Sequence, residues 1–508
     1  MKNLFKTSKE VLLLSLCTVA FPSLAKNNER PNIIFILADD LGYSEVGCYG
    51  QKLIETPNID DLAQKGKLFT NAYAGSPVSA SSRCSLMTGL HAGHAYIRGN
   101  DEWIEKGDVW NYTKASNDPN LEGQRPIPAN SVTIAKLLKG QGYRTGCFGK
   151  WGLGAPFTEG VPEKQGFDLF FGYNCQRQAH SYFPNHLWRN DERVPLNNKI
   201  IPPGTKLPEG ADIYDEKTYE QFFQSDYSAE IILNESMKFM EDNVRNPFFI
   251  FYSTTLPHKP VQAPKRLVDK YVKKFGDEKP YIGGSYYPCR YPRATYAAMV
   301  SYFDEQVGDI VSKLKELGIY ENTIIIVTSD NGPGYNTEHF NSASPFLSIS
   351  GRVKGSLYEG GIRTPFIAVW DKKIKPGTIS DMPITLYDLL PSFCEVSGAP
   401  IPAITDGISI MPELLGKKGQ KQHEFLYWEY PHSGGQQAVR YGKWKALRID
   451  INKTGNTQIK LFDLSRDIQE LHDVAEQYPD IELKMEYYMS VSHTKPALDV
   501  FDLKPFDK

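Results

Sequence analysis

Two pairs of oxygen-bearing side chains come directly after apolar runs of the chain. Asp39 and Asp40 follow one run, and Asp330 and Asn331 follow another. Such a set, with several carboxylates and no histidine or cysteine, suits calcium or magnesium better than zinc. Asp-Asp-Leu-Gly and Ser-Asp-Asn-Gly are also common turn sequences. Because both pairs end a strand-like run, the pattern favours a metal site over two unrelated turns.

The stretch Ser79–Arg83 is the second candidate for chemistry. It reads Ser-Ala-Ser-Ser-Arg and precedes small residues that can begin a helix. It could be an ordinary serine-rich loop whose hydroxyls cap the free N–H groups of that helix. A serine four residues before an arginine is also the spacing of a nucleophile loop. Both interpretations stay open on this stretch alone.

Strands alternate with helices through most of the chain. The apolar runs Asn32–Ala38, Pro247–Tyr252 and Asn322–Ser329 are typical of strands buried on both faces. Amphipathic stretches between them predict helices, the longest at Tyr296–Gly318. The alternation predicts an α/β fold with a large, mostly parallel (mixed) central sheet and helices on both faces. Polar sites are expected beyond the carboxyl ends of its strands.

After about residue 400 the pattern changes to short strand-like segments separated by turns and followed by one helix. We therefore expect an α/β catalytic domain at 26–400 and a smaller C-terminal antiparallel α+β subdomain at 401–508. The segments that carry this prediction are Phe425–Tyr430, Gln437–Arg440, Trp444–Ile449, Lys460–Asp463 and the helix Tyr478–Tyr488.

Composition narrows the class of protein. The 508 residues are 41% hydrophobic and 23% charged, as in globular proteins, and the length predicts one large and one smaller domain. A net charge of −3 and the lack of a basic tract argue against a nucleic-acid partner. The six cysteines after the leader include no Cys-x-x-Cys pair, which disfavours zinc or redox sites. Buried free thiols are favoured, and disulfides stay open.

The N-terminus predicts export. Three lysines precede the apolar run Val11–Phe21, and Ser23–Ala25 offers small residues for cleavage, so residues 1–25 are expected to be a signal peptide. The run is too short for a membrane span, and no later stretch reaches that length. A lipoprotein anchor at Cys17 is disfavoured because bulky Leu16 precedes it. We expect a periplasmic or extracellular protein.

Six separated motifs occur in order between Asn32 and residue 473. Together they resemble the type I, formylglycine-dependent sulfatases of the alkaline phosphatase superfamily, specifically bacterial carbohydrate sulfatases with a serine precursor. The likeness covers nearly the whole mature chain. The motifs are Ala38–Gly42, the Ser79 site, Gly149–Trp151, Pro257–Pro260, Ser329–Gly332 and Lys354–Arg363.

The resemblance implies a role for each matching residue. Ser79 is oxidised to formylglycine (3-oxoalanine), which completes a calcium site made by the two pairs that contain Asp39 and Asn331. The other roles are assigned as follows: Asp39, Asp40, Asp330 and Asn331 bind calcium, Arg83 holds the nucleophile and the metal-site carboxylates, Lys150 and Lys354 grip sulfate oxygens, and His258 is the general acid. A serine precursor implies an anaerobic sulfatase-maturating enzyme as a partner before export. Cys84 is out of register, because Thr88 and not an arginine follows it by four residues.

The chain departs from the family's commonest pattern at two positions. Ser81 stands where many relatives have proline or alanine, and Gly152 stands where many have a histidine beside the formylglycine. The base that triggers sulfate release is therefore open. His180 is one candidate, because it lies in the loop that follows.

The region from about residue 152 to 215 is expected to be a long loop that shapes the substrate site. Its aromatic, histidine, glutamine and arginine side chains suit sugar faces and hydroxyls. We expect His180 and Arg98 to contact substrate, with the segment His91–Asn100 near the same mouth. The first expectation for the substrate is a glycan bearing sulfated galactose or N-acetylgalactosamine.

Two alternatives remain. One is a phosphodiesterase or phosphonate hydrolase of the same fold, although Asn331 stands where those relatives often have histidine. The other is a non-catalytic glycan-binding relative in which Ser79 stays unmodified.

Overall fold

The computed structural model describes residues 30–507, so the expected signal peptide and Cys17 lie outside the described residues. Apolar, β-branched and aromatic runs form the strands of the chain. In chain order these are β1 (Asn32–Ala38), β2 (Lys67–Phe69), β3 (Ala72–Tyr73), β4 (Arg144–Lys150), β5 (Leu169–Tyr173), β6 (His186–Arg189), β7 (Glu192–Pro195), β8 (Phe248–Ser253), β9 (Thr323–Ser329), β10 (Phe366–Trp370), β11 (Thr378–Ser380), β12 (Ile384–Thr385), β13 (Leu426–Tyr430), β14 (Gln436–Tyr441), β15 (Trp444–Arg448) and β16 (Lys460–Asp463).

A ten-stranded sheet runs through the centre of the molecule in the order β11-β2-β10-β9-β1-β8-β4-β5-β6-β7. The five strands from β9 to β5 are parallel, while β10 and β6 are antiparallel to their neighbours. The predicted mixed, mostly parallel α/β architecture is confirmed. The central strands β1, β8, β9 and β4 are parallel, so their carboxyl ends lie at the same edge of the sheet. The predicted site residues follow these ends.

Alternate side chains of each central strand face two separate cores. In β1, Ile34 and Ile36 face one core, and Ile33, Phe35 and Leu37 face the other. Helices cover both faces of this sheet, and further helices lie towards the C-terminus. They are α1 (Pro57–Lys65), α2 (Ser79–Thr88), α3 (Tyr112–Asn117), α4 (Ile134–Gly140), α5 (Ser228–Asp242), α6 (Lys265–Phe275), α7 (Pro292–Glu316), α8 (Thr337–Phe340), α9 (Glu359–Ile362), α10 (Leu389–Ser397), α11 (Met411–Leu414), α12 (Ile451–Thr454) and α13 (Pro479–Ser492).

The region expected to be one long loop contains three strands. β5 extends the parallel sheet beside β4, and the hairpin of β6 and β7 continues it to the edge. The sequence pattern missed them because the Gly, Asn and His residues around them look like loop composition. The segment between β5 and β6, which includes His180, remains irregular, as do residues 196–215 after β7.

A second, antiparallel sheet lies towards the C-terminus. Its strands β13 to β16 are neighbours in order. One face packs against α13 through Met485 and Met489, and the other packs against Tyr73 and Tyr387 of the larger sheet's surroundings. None of the described helices is long and apolar enough to cross a lipid bilayer.

Candidate functional site

The two pairs of polar residues meet because β1 and β9 are adjacent and parallel. Their last residues, Ala38 and Ser329, are partners in the register, so both pairs leave the sheet at the same edge. The Asp40 N–H donates to Oδ1 of Asp330 (3.2 Å), and Nδ2 of Asn331 donates to Oδ1 of Asp40 (2.7 Å). Asp40 itself has a left-handed backbone with φ 67°, a conformation that aspartate tolerates better than most residues.

Ser79 is the first residue of α2, and the helix start is aimed at this cluster. Its Oγ donates to Oδ1 of Asp39 at 3.1 Å and lies 3.5 Å from Oδ1 of Asn331. The next N–H along the helix, that of Ala80, donates to Oδ1 of Asn100. The predicted nucleophile therefore lies among the predicted metal ligands. Cys84, by contrast, is buried in the apolar core, which raises the pKa of its thiol to about 11.

Arg83 lies one helical turn after Ser79 and on the same side of α2. Its guanidinium is fully buried. Nε and Nη2 both donate to Oδ2 of Asp330, at 3.2 and 2.9 Å, and Nη1 donates to the carbonyl of Lys150 and to Oγ of Ser253. A buried cation requires such partners. Arg83 therefore fixes Asp330, β4 and β8 relative to the start of α2.

Lys150, at the end of β4, and Lys354, in the segment before α9, both reach the cluster. Nζ of Lys150 lies 2.7 Å from Oδ2 of Asp39, and Nζ of Lys354 lies 2.8 Å from Oδ2 of Asp40. Burial lowers the pKa of Lys150, partly offset by Asp39. Burial also acts to lower the pKa of Lys354, but Asp40 and Asp39 outweigh it and raise that pKa. The two lysine ammonium groups therefore lie within reach of an anion bound at the cluster.

The carboxylates of the cluster respond differently to the same surroundings. Burial acts to raise the pKa of Asp39, but Lys150, His258 and Arg83 outweigh it, so the pKa falls below its usual value. Burial and the negative charge of Asp39 raise the pKa of Asp330 to about 6. Carboxylates this close repel each other, and a divalent cation would relieve that repulsion.

His258 follows β8 and faces the cluster. Its Nδ1 donates to the carbonyl of Lys259, which leaves Nε2 pointing towards Oδ2 of Asp40 at 3.6 Å. Burial and Lys354 lower the pKa of His258 to about 4. Nε2 is therefore free to accept a proton when negative charge is added beside it.

His180 lies parallel to His258, with ring centroids 5.2 Å apart and an angle of 10° between the planes. Tyr286 contacts both rings. Burial and the neighbouring His258 and Lys150 hold the pKa of His180 well below its ordinary value. His180 is half-buried beside His258.

Gln176 lies beside Gly152, the position where many relatives have histidine. A Cβ built on Gly152 would be 3.3 Å from Cγ of Gln176 and 3.7 Å from Cδ of Arg83, and φ there is +78°. Nε2 of Gln176 donates to Oδ1 of Asn100 at 3.2 Å. The side chain of Gln176 therefore lies in the space beside Gly152 and Arg83. The spacing of motifs gave no signal for Gln176, because it comes from another loop.

The structure does not bring Arg98, a predicted substrate contact, to the cluster. Its side chain is buried, and it forms a 2.6 Å ion pair with Glu429 of β13. It also donates to Ala95 and to Thr494 near the C-terminus. Arg98 instead joins its own segment to β13 and to the chain near Thr494. The sequence could not show this, because Glu429 and Thr494 lie more than 300 residues away.

The residues of the segment His91–Asn100, which is expected near the mouth, contact two different parts of the structure. His91 and His94 stack on each other with centroids 4.1 Å apart and pair with Asp406. Asn100, at the end of the same segment, is the part that reaches the start of α2. Only the end of that segment therefore borders the candidate site.

Comparison with known proteins agrees with this arrangement. The family model described as "Sulfatase" matches residues 31–399, and one described as "N-sulphoglucosamine sulphohydrolase, C-terminal" matches residues 353–495. The chain belongs to the type I sulfatases of the alkaline phosphatase superfamily. It is a sulfuric ester hydrolase.

Individual relatives are similar over most of their length. Human arylsulfatase A is 30% identical over 82% of this chain and 74% of its own. An N-acetylgalactosamine-6-O-sulfatase of Bacteroides thetaiotaomicron is 28% identical over 90% of this chain and 92% of its own. Among solved structures, Ps i-CgsB superimposes with a TM-score of 0.72 and 26% identity, covering 92% of this chain and 94% of that one.

Proposed function

We propose that this protein is an exported sulfatase that removes sulfate from carbohydrates, with Ser79 oxidised to formylglycine and calcium bound beside it. One observation carries the proposal: the hydroxyl of Ser79 lies within hydrogen-bonding reach of Asp39 and Asn331 in a cluster flanked by two lysines. A nucleophile, hard oxygen ligands and cations for a sulfate group are thus assembled at one sheet edge.

The donor set fits calcium. Asp39, Asp40, Asp330 and Asn331 offer carboxylate and amide oxygens, and Oδ1 of Asn331 is turned towards Ser79 while its Nδ2 is used elsewhere. His258 also lies within ligand distance of Asp39 and Asp40, but we assign it to the substrate side because it faces His180. Calcium held by these four residues would offset their mutual repulsion and polarise the sulfate ester.

Formylglycine at position 79 would supply a hydrated aldehyde, with one hydroxyl to attack sulfur and another to let the sulfate leave afterwards. The surrounding residues orient that group. Asp39 accepts from the side-chain oxygen of residue 79, and Arg83 fixes the carboxylate of Asp330 behind it. Unmodified serine would instead stop at a stable sulfate ester, so the modification is part of the proposal.

The lysines and His258 act on the substrate. Lys150 and Lys354 would bind the sulfate oxygens and neutralise the charge that grows on the transferred group. The anionic sulfate brought near His258 favours the proton on Nε2. That nitrogen then donates the proton to the oxygen of the departing sugar, which is general acid catalysis. His180 stacks behind it and holds the ring in place.

Sulfated galactose or N-acetylgalactosamine is the substrate class we propose first. The N-acetylgalactosamine-6-O-sulfatase of Bacteroides thetaiotaomicron, similar over 90% of this chain, supports the choice. So does Ps i-CgsB, whose structure was also solved with k-i-k-neocarrahexaose. Export through residues 1–25 and maturation by an anaerobic sulfatase-maturating enzyme complete the proposal.

The test combines mass spectrometry with product analysis. The Ser79 peptide, after anaerobic co-expression with a maturating enzyme, should be two hydrogens lighter than the encoded serine form. Matured protein should release sulfate from sulfated galactose or N-acetylgalactosamine. An unmodified peptide together with no turnover would favour the glycan-binding alternative.

A phosphonate monoester hydrolase of Agrobacterium radiobacter shares the fold, with a TM-score of 0.60 and 19% identity. Aryl sulfate, phosphate and phosphonate esters should therefore be compared directly. Faster phosphonate than sulfate hydrolysis would overturn the proposal in favour of that alternative.

A further inference from the structure

A wall of two packed segments, residues 100–124 and 174–178, borders the nucleophile. We call it the rim. The N–H of Gln176 donates to Oε1 of Gln124, and Nε2 of Gln176 donates to Oδ1 of Asn100, both at 3.2 Å. The same Asn100 oxygen accepts from the N–H of Ala80 at 3.0 Å. The rim is therefore fixed directly to the start of α2.

Unpartnered polar atoms concentrate in the rim. Buried polar groups in folded proteins nearly always have a hydrogen-bond partner, and each one left without a partner costs free energy. Nearly half of the buried side-chain nitrogen and oxygen atoms without such a partner in the described chain belong to five rim residues. These are Glu102, Gln124, Asn174, Arg177 and Gln178. The hydroxyl groups of a saccharide bound against the rim would supply such partners.

Glu102 lies two residues after Asn100, which accepts from the start of α2, and Arg177 follows Gln176, which donates to the same Asn100 oxygen. Burial raises the pKa of Glu102 to about 7, against the lowering influence of Arg177 and Lys150. Arg177 in turn helps to lower the pKa of His180. Oε2 of Glu102 and Nε of Arg177 are both buried without a partner among the described residues. An acceptor and a donor without a partner thus lie next to the residues that fix the rim to α2.

Trp110 adds an aromatic face at the outer end of the rim. The guanidinium of Arg177 lies 4.9 Å from the centroid of the Trp110 ring, and its Nη2 donates to the Trp110 carbonyl at 2.6 Å. The Trp110 side chain is nevertheless 57% exposed. One face of the indole is held by Arg177, while the rest is open to solvent. An indole held in this way is a stacking surface for a sugar ring.

We propose that Glu102, Arg177 and Trp110 form a subsite for a neutral sugar ring joined to the sulfated sugar. The inference rests on the proposed carbohydrate sulfatase function and deepens it. A carboxyl and a guanidinium in one rim match the donors and acceptors of sugar hydroxyls. The Arg177 guanidinium is already engaged by the ring and carbonyl of Trp110, whereas a carboxylate at Glu102 would repel a uronate or a second sulfate, which favours an uncharged ring here. The preferred substrate is then an oligosaccharide with an uncharged neighbour, rather than a sulfated monosaccharide.

The test uses N-acetylgalactosamine 6-sulfate and galactose 4-sulfate, each as the free monosaccharide and joined to a neutral galactose. Matured wild-type protein should show at least a tenfold higher kcat/KM for the disaccharides. Trp110→Ala and Glu102→Gln should each remove that advantage and leave the monosaccharide values unchanged. Tyr487→Ala is the matched control, because Tyr487 is a similarly exposed aromatic residue (61%) on α13. It should keep the advantage.

Two results are decisive against the inference, and they differ. Sulfate release from both forms with equal kcat/KM, or an advantage that survives both rim variants, overturns the subsite and leaves the proposed function standing. Release from none of the four saccharides, with an aryl sulfate still hydrolysed, overturns the proposed carbohydrate function and the subsite with it.

Discussion

The hydroxyl of Ser79 donates a 3.1 Å hydrogen bond to Oδ1 of Asp39. The bond joins the first residue of a helix to the residue that follows the central strand β1. Both side chains are almost completely buried. Alanine at this position would remove that hydroxyl and keep the Cβ, so the loss would fall on the polar cluster and not on an apolar core.

Ser79→Ala should abolish sulfate release while the protein stays folded. Alanine removes the only side-chain oxygen that could be oxidised at this position, and loss of a nucleophile costs many orders of magnitude in rate. Sulfate release and thermal unfolding should be measured together. Ser81→Ala is the control, because the Ser81 hydroxyl bonds to Ser76 and not to the cluster. Turnover by Ser79→Ala near the wild-type rate would contradict the assignment.

Calcium should raise the melting temperature of chelator-treated protein. A ligand that binds only the folded state at one hundred times its Kd stabilises by about 2.7 kcal/mol. Asp40→Asn should reduce this shift strongly, because it removes one of the charges that would hold the ion. Differential scanning fluorimetry with calcium chloride or magnesium chloride measures the shift. An equal calcium shift in Asp40→Asn and wild type would argue against the proposed ligands.

His258→Gln should slow substrates with poor leaving groups more than those with good ones. A sugar alkoxide needs a proton as it departs, whereas 4-nitrophenolate does not. General acid catalysis contributes roughly 10²–10⁴-fold to rate. We expect a loss of that order on a sulfated saccharide and a much smaller loss on 4-nitrophenyl sulfate. Equal losses on both substrates would assign His258 to sulfate binding instead of proton donation.

Arg98→Ala should destabilise the protein without affecting saccharide recognition. The substitution removes the 2.6 Å partner of buried Glu429 but leaves His493 at 2.8 Å, so we expect a loss smaller than the about 3–5 kcal/mol of a fully unpaired buried charge. Chemical unfolding and saccharide KM should be compared with those of Arg177→Ala. The rim variant should show the opposite pattern, with KM raised and stability little changed. A raised KM for Arg98→Ala would restore it as a substrate contact.

The sheet and the ligand pairs could be predicted because both depend on local patterns. The continuous apolar runs before Asp39 and Asp330 required strands buried on both faces, and parallel strands bring their carboxyl ends together. The regions that failed were those with weak local patterns. The strands β5 to β7 are short and lie among loop-forming residues, so only the pairing of β5 with β4, β6 with β5 and β7 with β6 reveals them.

The sequence by itself determined the family, the order of the six motifs and the register that selects Ser79 over Cys84, because these depend only on residue types and spacing. Only the tertiary structure decided which residues surround them. Arg98 and Asn100 are two positions apart, yet one pairs with Glu429 and the other binds the start of α2. Gln176 reaches the space beside Gly152 from a separate loop. Such contacts between distant segments follow from chain packing, and no local pattern encodes them.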